Sequence, residues 1–319
     1  MNSVRPYALT LSAGALAALL FAVPFAFGIG AAAPMTLTGI PLMAAGLGIG
    51  VIAAAGAGLT GIGVVSAIVL ALALGPEPTV LFAVLVVAPI VFSVHMLNRS
   101  RTSPLGYIEW YPPLTVMAWM AAAAIGLMVL LGLMVIKGET DLVVLTRTFL
   151  EPFFTGIFPE LGFFRIRSMA GTMAPIFPGT VIAAWLLLLA ISTAAAIAFL
   201  HYRGALGRPT PRMESLRVPV WVPAAFVVAL LLVLWGNDNI AYLGQNAAIA
   251  LFVPIFLAGV GTFHAIARPT PITFVILAVF YGFLIVFPPL SALVALIGVV
   301  DQFLGLRRRT GLARSGQEV

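Results

Sequence analysis

The sequence contains no cysteine, which excludes disulfides, thiolate catalysis, iron–sulfur clusters and cysteine-ligated zinc. Charge is almost as scarce. Only 8% of its 319 residues are Asp, Glu, Lys or Arg, against about 25% in a soluble domain. The basic residues are fifteen arginines and one lysine, Lys137. Three histidines, His95, His201 and His264, lie far apart, each at the end of an apolar segment. A metal site needs such ligands gathered with a carboxylate, so an interfacial place for these amphipathic rings is the simpler reading. No Ser/His/Asp or paired-carboxylate arrangement appears at short spacing, and no GxxxxGKS or GxxxxGKT is present. The expectation is a chain with no catalysis of its own, no cofactor and no P-loop. "GIGVIA" at 48–53 has the letters of a dinucleotide fingerprint, but it lies inside an apolar run, with no strand before it. It reads as helix packing.

What the sequence has is apolar length. Hydrophobic residues make up 62% and the mean hydropathy is +1.16, far beyond a soluble domain at about 45–50% apolar. The expected fold class is all-α, a polytopic helical bundle in a membrane. A helix needs about 20 apolar residues to cross about 30 Å of hydrocarbon. That ruler marks ten segments, at 6–29, 35–54, 59–75, 79–97, 114–136, 179–202, 219–236, 241–267, 272–287 and 289–305. They form one transmembrane domain, 1–310, followed by a short tail, 311–319. The first segment reads as a retained helix, because Pro34 would follow any signal cleavage after Ala31–Ala33. The last two are short, so 272–287 and 289–305 are either two thin spans or a re-entrant hairpin turning at Pro288 and Pro289. Removing one hairpin leaves eight spans with the same orientation as the competing topology.

The arginines set that orientation. With the N-terminus inside, twelve of the sixteen basic residues fall on inner positions: Arg5, Arg99, Arg101, Arg203, Arg208, Arg212, Arg217, Arg268, Arg307, Arg308, Arg309 and Arg314. The positive-inside rule then puts both termini in the cytoplasm. The same placement explains a pI near 10.3 without nucleic acid as a partner. The partner it does imply is the bilayer of a bacterial inner membrane, a source to which the Arg-, Ala- and Gly-rich composition also points.

Several stretches are candidates for function. "WGNDNIAYLGQN" at 235–246 offers Asn239, Gln245 and Asn246 near the start of an apolar segment. An unpaired amide is costly there, so the stretch is either a polar turn or the lining of an outward-facing pocket. Asp301 precedes Arg307, Arg308 and Arg309 at the end of the last segment. It serves as a structural ion pair, with Arg268 as the expected partner, or as a functional carboxylate. The arginines make a stop at anionic headgroups or a docking surface. In the outer stretch 138–178, Phe149, Phe153, Phe154, Phe158, Phe163 and Phe164 are interrupted by charge and proline. They suit a segment lying at the interface or plugging an outer vestibule. Gly46 and Gly50 stand at GxxxG spacing, which favours close helix contact.

The carboxyl-terminal half resembles a known family. "FPGTVIAAWLLLLAIS", "RPTPRMESLRVPVWVP", "LGQNAAIALFVPIFLAGVGTFHAIAR" and "IGVVDQFLGLRRR" occur in that order over roughly residues 175–310. They resemble the YybS-like (DUF2232-type) family of predicted bacterial membrane proteins of unknown function. The resemblance implies a distant similarity to the S-components of energy-coupling-factor transporters. Those hold a small solute among six helices and dock on a separate ATPase module. Ala13 and Ala17, at AxxxA spacing in the first segment, are the docking face the resemblance implies. The expected function is a solute-binding or transport-type membrane component. The alternatives are a scaffold or regulator acting through basic cytoplasmic loops, or a lipid-handling protein.

Overall fold

A computed structural model describes residues 4–136, 141–213, 216–268 and 270–304. Its helices follow the apolar runs, because a backbone in hydrocarbon must satisfy its own polar groups and a helix does so within one segment. The order is α1 (Val4–Phe27), α2 (Gly39–Ile49), α3 (Val51–Ala71), α4 (Glu77–Leu81), α5 (Ala88–Leu97), a hairpin of β1 (Ser100–Thr102) and β2 (Ile108–Trp110), α6 (Pro113–Ile136), α7 (Leu142–Ile157), α8 (Phe163–Met173), α9 (Phe177–Tyr202), α10 (Trp221–Trp235), α11 (Asp238–Ala267), α12 (Thr273–Val286) and α13 (Leu290–Leu304). Among the described residues the fold is all-α apart from that hairpin.

Seven helical stretches among the described residues are long and apolar enough to cross a membrane: Pro6–Phe27, Ile29–Ile49, Val51–Ala71, Glu77–Leu97, Pro113–Ile136, Phe163–Tyr202 and Asp238–Ala267. Three of the ten expected segments, at α10, α12 and α13, form helices of 15, 14 and 15 residues. At 1.5 Å per residue these reach about 21–23 Å, short of a full hydrocarbon core.

The chain forms two compact units, residues 1–112 with 187–210, and residues 113–186 with 211–319. Helix α9 runs from the second into the first.

In the first unit α1 packs against α2 and α3. Contact with α3 is close because it is made of small residues. A Cβ on Gly14 would strike the Ala57 carbonyl and lie 2.8 Å from the Thr60 Cβ, while Ala17 and Ala18 on the same face are fully buried. The expected segments 35–54 and 59–75 meet at a different place. The break falls at Gly50, whose φ of 137° suits glycine, so residues 51–54 belong to α3. Gly46 keeps its role as a close-contact residue, against Val94 of α5, whereas Gly50 acts as the hinge between α2 and α3. Between α4 and α5, Phe82–Val87 forms a π-helical turn. It ends two residues before Pro89, which has no N–H for the carbonyl four residues back, and the wider turn accommodates that loss.

In the second unit α11 is the central helix, with α6, α10, α12 and α13 packed on it. Its contact with α13 is the tightest. A Cβ on Gly298 would lie 2.5 Å from the Gly259 nitrogen, and one on Gly259 would strike the Val294 carbonyl. Residues 142–157 and 163–173 of the expected outer stretch are helical. Helices α7 and α8, with the 3-10 turn that follows at Ala174–Ile176, bury Leu150, Phe154, Ile166, Ala170 and Ala174 between them, and leave Phe149, Phe153, Phe163 and Phe164 exposed.

Candidate functional site

Asn246 is fully buried and all its hydrogen-bonding groups are engaged. Its Oδ1 accepts from the Gly179 N–H at 2.6 Å, and its Nδ2 donates to the Pro175 carbonyl at 2.8 Å and the Tyr242 carbonyl at 2.9 Å. Gly179 stands in the first turn of α9, where N–H groups have no partner within their own helix. Asn246 therefore caps α9 from a neighbouring helix. Four residues earlier on α11, the Tyr242 hydroxyl meets Thr146 of α7 at 2.7 Å, and three residues before that Asn239 Oδ1 accepts from the Leu142 N–H, in the first turn of α7, at 2.9 Å. Residues 239, 242 and 246 share one face of α11 and fasten the starts of α7 and α9. That spacing was readable in the sequence, but which helices it would meet was not.

The four expected ligand residues do not converge. Gln245 points off this face, is half-buried, and makes no side-chain hydrogen bond among the described residues. Asp301 is buried on α13 beside Thr262, whose hydroxyl lies 3.4 Å from its Oδ2 and 3.1 Å from the Ala258 carbonyl. Thr262 is sixteen residues along α11 from Asn246, a separation of about 24 Å. Of the expected docking residues, Ala17 is covered inside the α1–α3 contact and Ala13 is half-buried beside it. Arg307, Arg308 and Arg309 lie outside the described residues.

An open cavity lies in the first unit. A groove of about 590 Å³ runs between α3 and the α4–α5 stretch, lined by Val51, Ala55 and Leu59 on one wall and Ala83, Val87, Ala88, Val91, Phe92 and His95 on the other. Residues 51, 55 and 59 recur every four, as do 83, 87, 91 and 95, so each wall is one stripe of a helix. Alanines at 55, 83 and 88 make it concave, and the π-helical turn supplies part of its wall. Its lining is apolar except at one end, where His95 stands in the last turn of α5. Sequence reasoning placed His95 at a helix end and missed the groove, because a groove exists only once two helices are side by side.

Beyond His95 the end of α5 is held by Arg208. This side chain is buried, its Nη1 donates to the Leu97 carbonyl at 2.7 Å, and its guanidinium lies 5.5 Å from the Trp110 ring centre. A guanidinium at a helix C-terminus neutralises carbonyls that lack partners. Its Nε has no hydrogen-bond partner among the described residues, and burial pushes its pKa below the ordinary guanidinium value. Asn98 adds a bond from Nδ2 to the Gly46 carbonyl at 3.2 Å, and Arg101 pairs across the hairpin with Glu109 at 2.7 Å. The arginine hydrogen bond holds the Glu109 carboxyl below its ordinary range. Among the described residues no group of three or more His, Cys, Asp or Glu is placed to hold a metal.

Residues 165–302 match the model of a family described as a predicted membrane protein, DUF2232, which bears out the family resemblance read from the sequence. The match runs from α8 into α13 and contains the Asn246 node and Asp301, while the groove lies ahead of it. No curated protein and no solved structure matches the chain.

Proposed function

We propose that this chain, with its match to a predicted membrane protein family, is a solute-binding or transport-type component of the bacterial inner membrane whose solute is an amphiphile taken sideways from the bilayer. It has no catalysis of its own. The observation that carries this reading is the groove between α3 and α5, apolar along its length and polar only at His95. Pockets for small molecules are mostly apolar with few polar groups that fix orientation. The Asn246 node supports the choice of groove over node, since its amide is already committed to backbone partners.

The proposal includes ten crossings, with α10, α12 and α13 as the thin ones, and both termini on the basic, cytoplasmic side. The count of twelve basic residues on inner positions supports it. An energy-coupling ATPase module is the proposed partner, by the likeness to S-components. With α3 covering the Ala17 face of α1, the basic inner loops are the surface left for it. A second reading is a scaffold or regulator acting through those loops, favoured by the exposed Arg99 and Arg203.

The test is to purify the intact protein gently from its native membrane and identify what accompanies it by mass spectrometry. An amphiphile retained in proportion to the protein, and lost when Leu59→Trp fills the groove, is expected. Retention of a soluble protein with no small molecule would move the assignment to the scaffold.

A further inference from the structure

The groove has a direction, with His95 at one end and the charged Arg99 four residues further along the chain. We propose that it selects an anionic amphiphile, a lipid whose phosphate or carboxylate sits at His95 and Arg99 while its tail lies along Val87, Ala83 and Leu59. This rests on the groove being an amphiphile site at all, and adds what distinguishes one amphiphile from another.

A tail gains little by leaving the bilayer, because lipid chains are as apolar as the groove wall. Discrimination must come from the headgroup. His95 is the sole polar side chain in the lining. Arg99 follows it by four residues, and its N–H bonds the Met96 carbonyl at 3.1 Å, so the chain is still turning there. Both side chains are exposed. Among the described residues no acid pairs with Arg99, whereas Arg101 is taken by Glu109 and Arg208 is held at Leu97 and Trp110. The polar end of the groove thus carries a ring that donates a hydrogen bond, an uncommitted cation follows it in the chain just past the end of α5, and no carboxylate lines the groove. An anionic oxygen is the chemistry that complements this pair. A zwitterionic headgroup would bring its own cation against Arg99.

The experiment uses the full-length protein in nanodiscs of phosphatidylcholine doped with a trace of either phosphatidylglycerol or phosphatidylcholine that carries a photoreactive group on its tail, with labelled residues located by mass spectrometry. The expected result is labelling of α3 and α5 groove residues on the order of fivefold higher with the glycerol lipid, about what one basic side chain supplies near charged headgroups. In His95→Gln with Arg99→Gln the two lipids should label equally, and in Leu59→Trp or Ala55→Phe both should fall. Leu59 is exposed, so its replacement leaves the fold intact even where the alanine variant fails. Equal labelling by both lipids in the unaltered protein would overturn the anionic selectivity and leave the groove as an amphiphile site. Groove labelling no higher than on other lipid-facing helices would overturn both. An anionic preference that persists in the double variant would place the headgroup elsewhere and overturn this assignment.

Discussion

The Gly179 N–H donates to the Asn246 side chain at 2.6 Å, and glycine is the residue that permits it: a Cβ at 179 would lie 2.7 Å from the Asn246 carbonyl oxygen and 2.8 Å from its Cα. Helix α9 can start there because α11 comes close enough to cap it.

Removing either half of this contact should destabilise the protein. Asn246→Ala leaves the Gly179 N–H and the Pro175 carbonyl without their partner, and a buried unpaired group costs about 1–3 kcal/mol. Gly179→Ala pushes backbone against backbone, which costs a similar amount. Thermal unfolding in detergent should show both melting lower. Retention of the amphiphile below the melting temperature should not change, since the node is outside the groove's lining. Loss of amphiphile without a lowered melting temperature would return Asn246 to the ligand site.

The α11–α13 contact makes a second prediction. Gly259→Leu forces α13 away from α11, because even a Cβ at 259 strikes Val294. The expected loss is about 1–3 kcal/mol, as for other overpacked contacts. Thr262 and Asp301 should part as a result, so a cysteine pair placed at these two positions should crosslink in the parent chain and not in the variant. The chain has no cysteine of its own to interfere.

Arg208→Ala should loosen the hairpin. It removes a charged hydrogen bond to Leu97, worth about 1.5–3 kcal/mol, and the cation over Trp110, worth about 0.5–1 kcal/mol. Arg208→Lys should restore little, since an ammonium lacks the planar fork that reaches carbonyl and ring together. Trp110 fluorescence, taken as the difference from Trp110→Phe, should shift to the red in both variants.

The same signal should be flat between pH 6 and 9. Glu109 has a folded pKa below its unfolded one, about 4.3. Its contribution is therefore complete above the unfolded value and lost as pH falls through the folded one. Arg208, although pushed down, stays charged throughout this window. A change in the Trp110 signal is expected only below about pH 4, and a transition near neutrality would mean that another group controls the hairpin.

Single cysteines test the crossings. Thr210→Cys should react with an impermeant maleimide from the cytoplasmic side and Gly156→Cys from the opposite one, both positions being exposed. Phe287→Cys decides the last pair of helices. It should label from the outer side if α12 and α13 both span, and stay unlabelled if they turn back within the bilayer.

The sequence by itself determined that this is a helical membrane protein, and nearly where each helix lies. Run length, hydropathy and scarcity of charge are local properties, and hydrocarbon permits almost no other answer to a stretch of twenty apolar residues. It also presented Asn246 and Asp301 as polar residues needing partners. Only the tertiary structure decided what those partners are. Asn246 faces the start of α9 and Asp301 faces Thr262, about 24 Å away along α11, because polar contacts between helices depend on which faces meet. Likewise Gly46 and Gly50 stood as one GxxxG pair, yet one became a contact with Val94 and the other the hinge between α2 and α3. The groove at Ala55, Ala83 and His95 was least legible of all. It belongs to neither helix alone, and exists because two stripes of small and apolar side chains are held side by side.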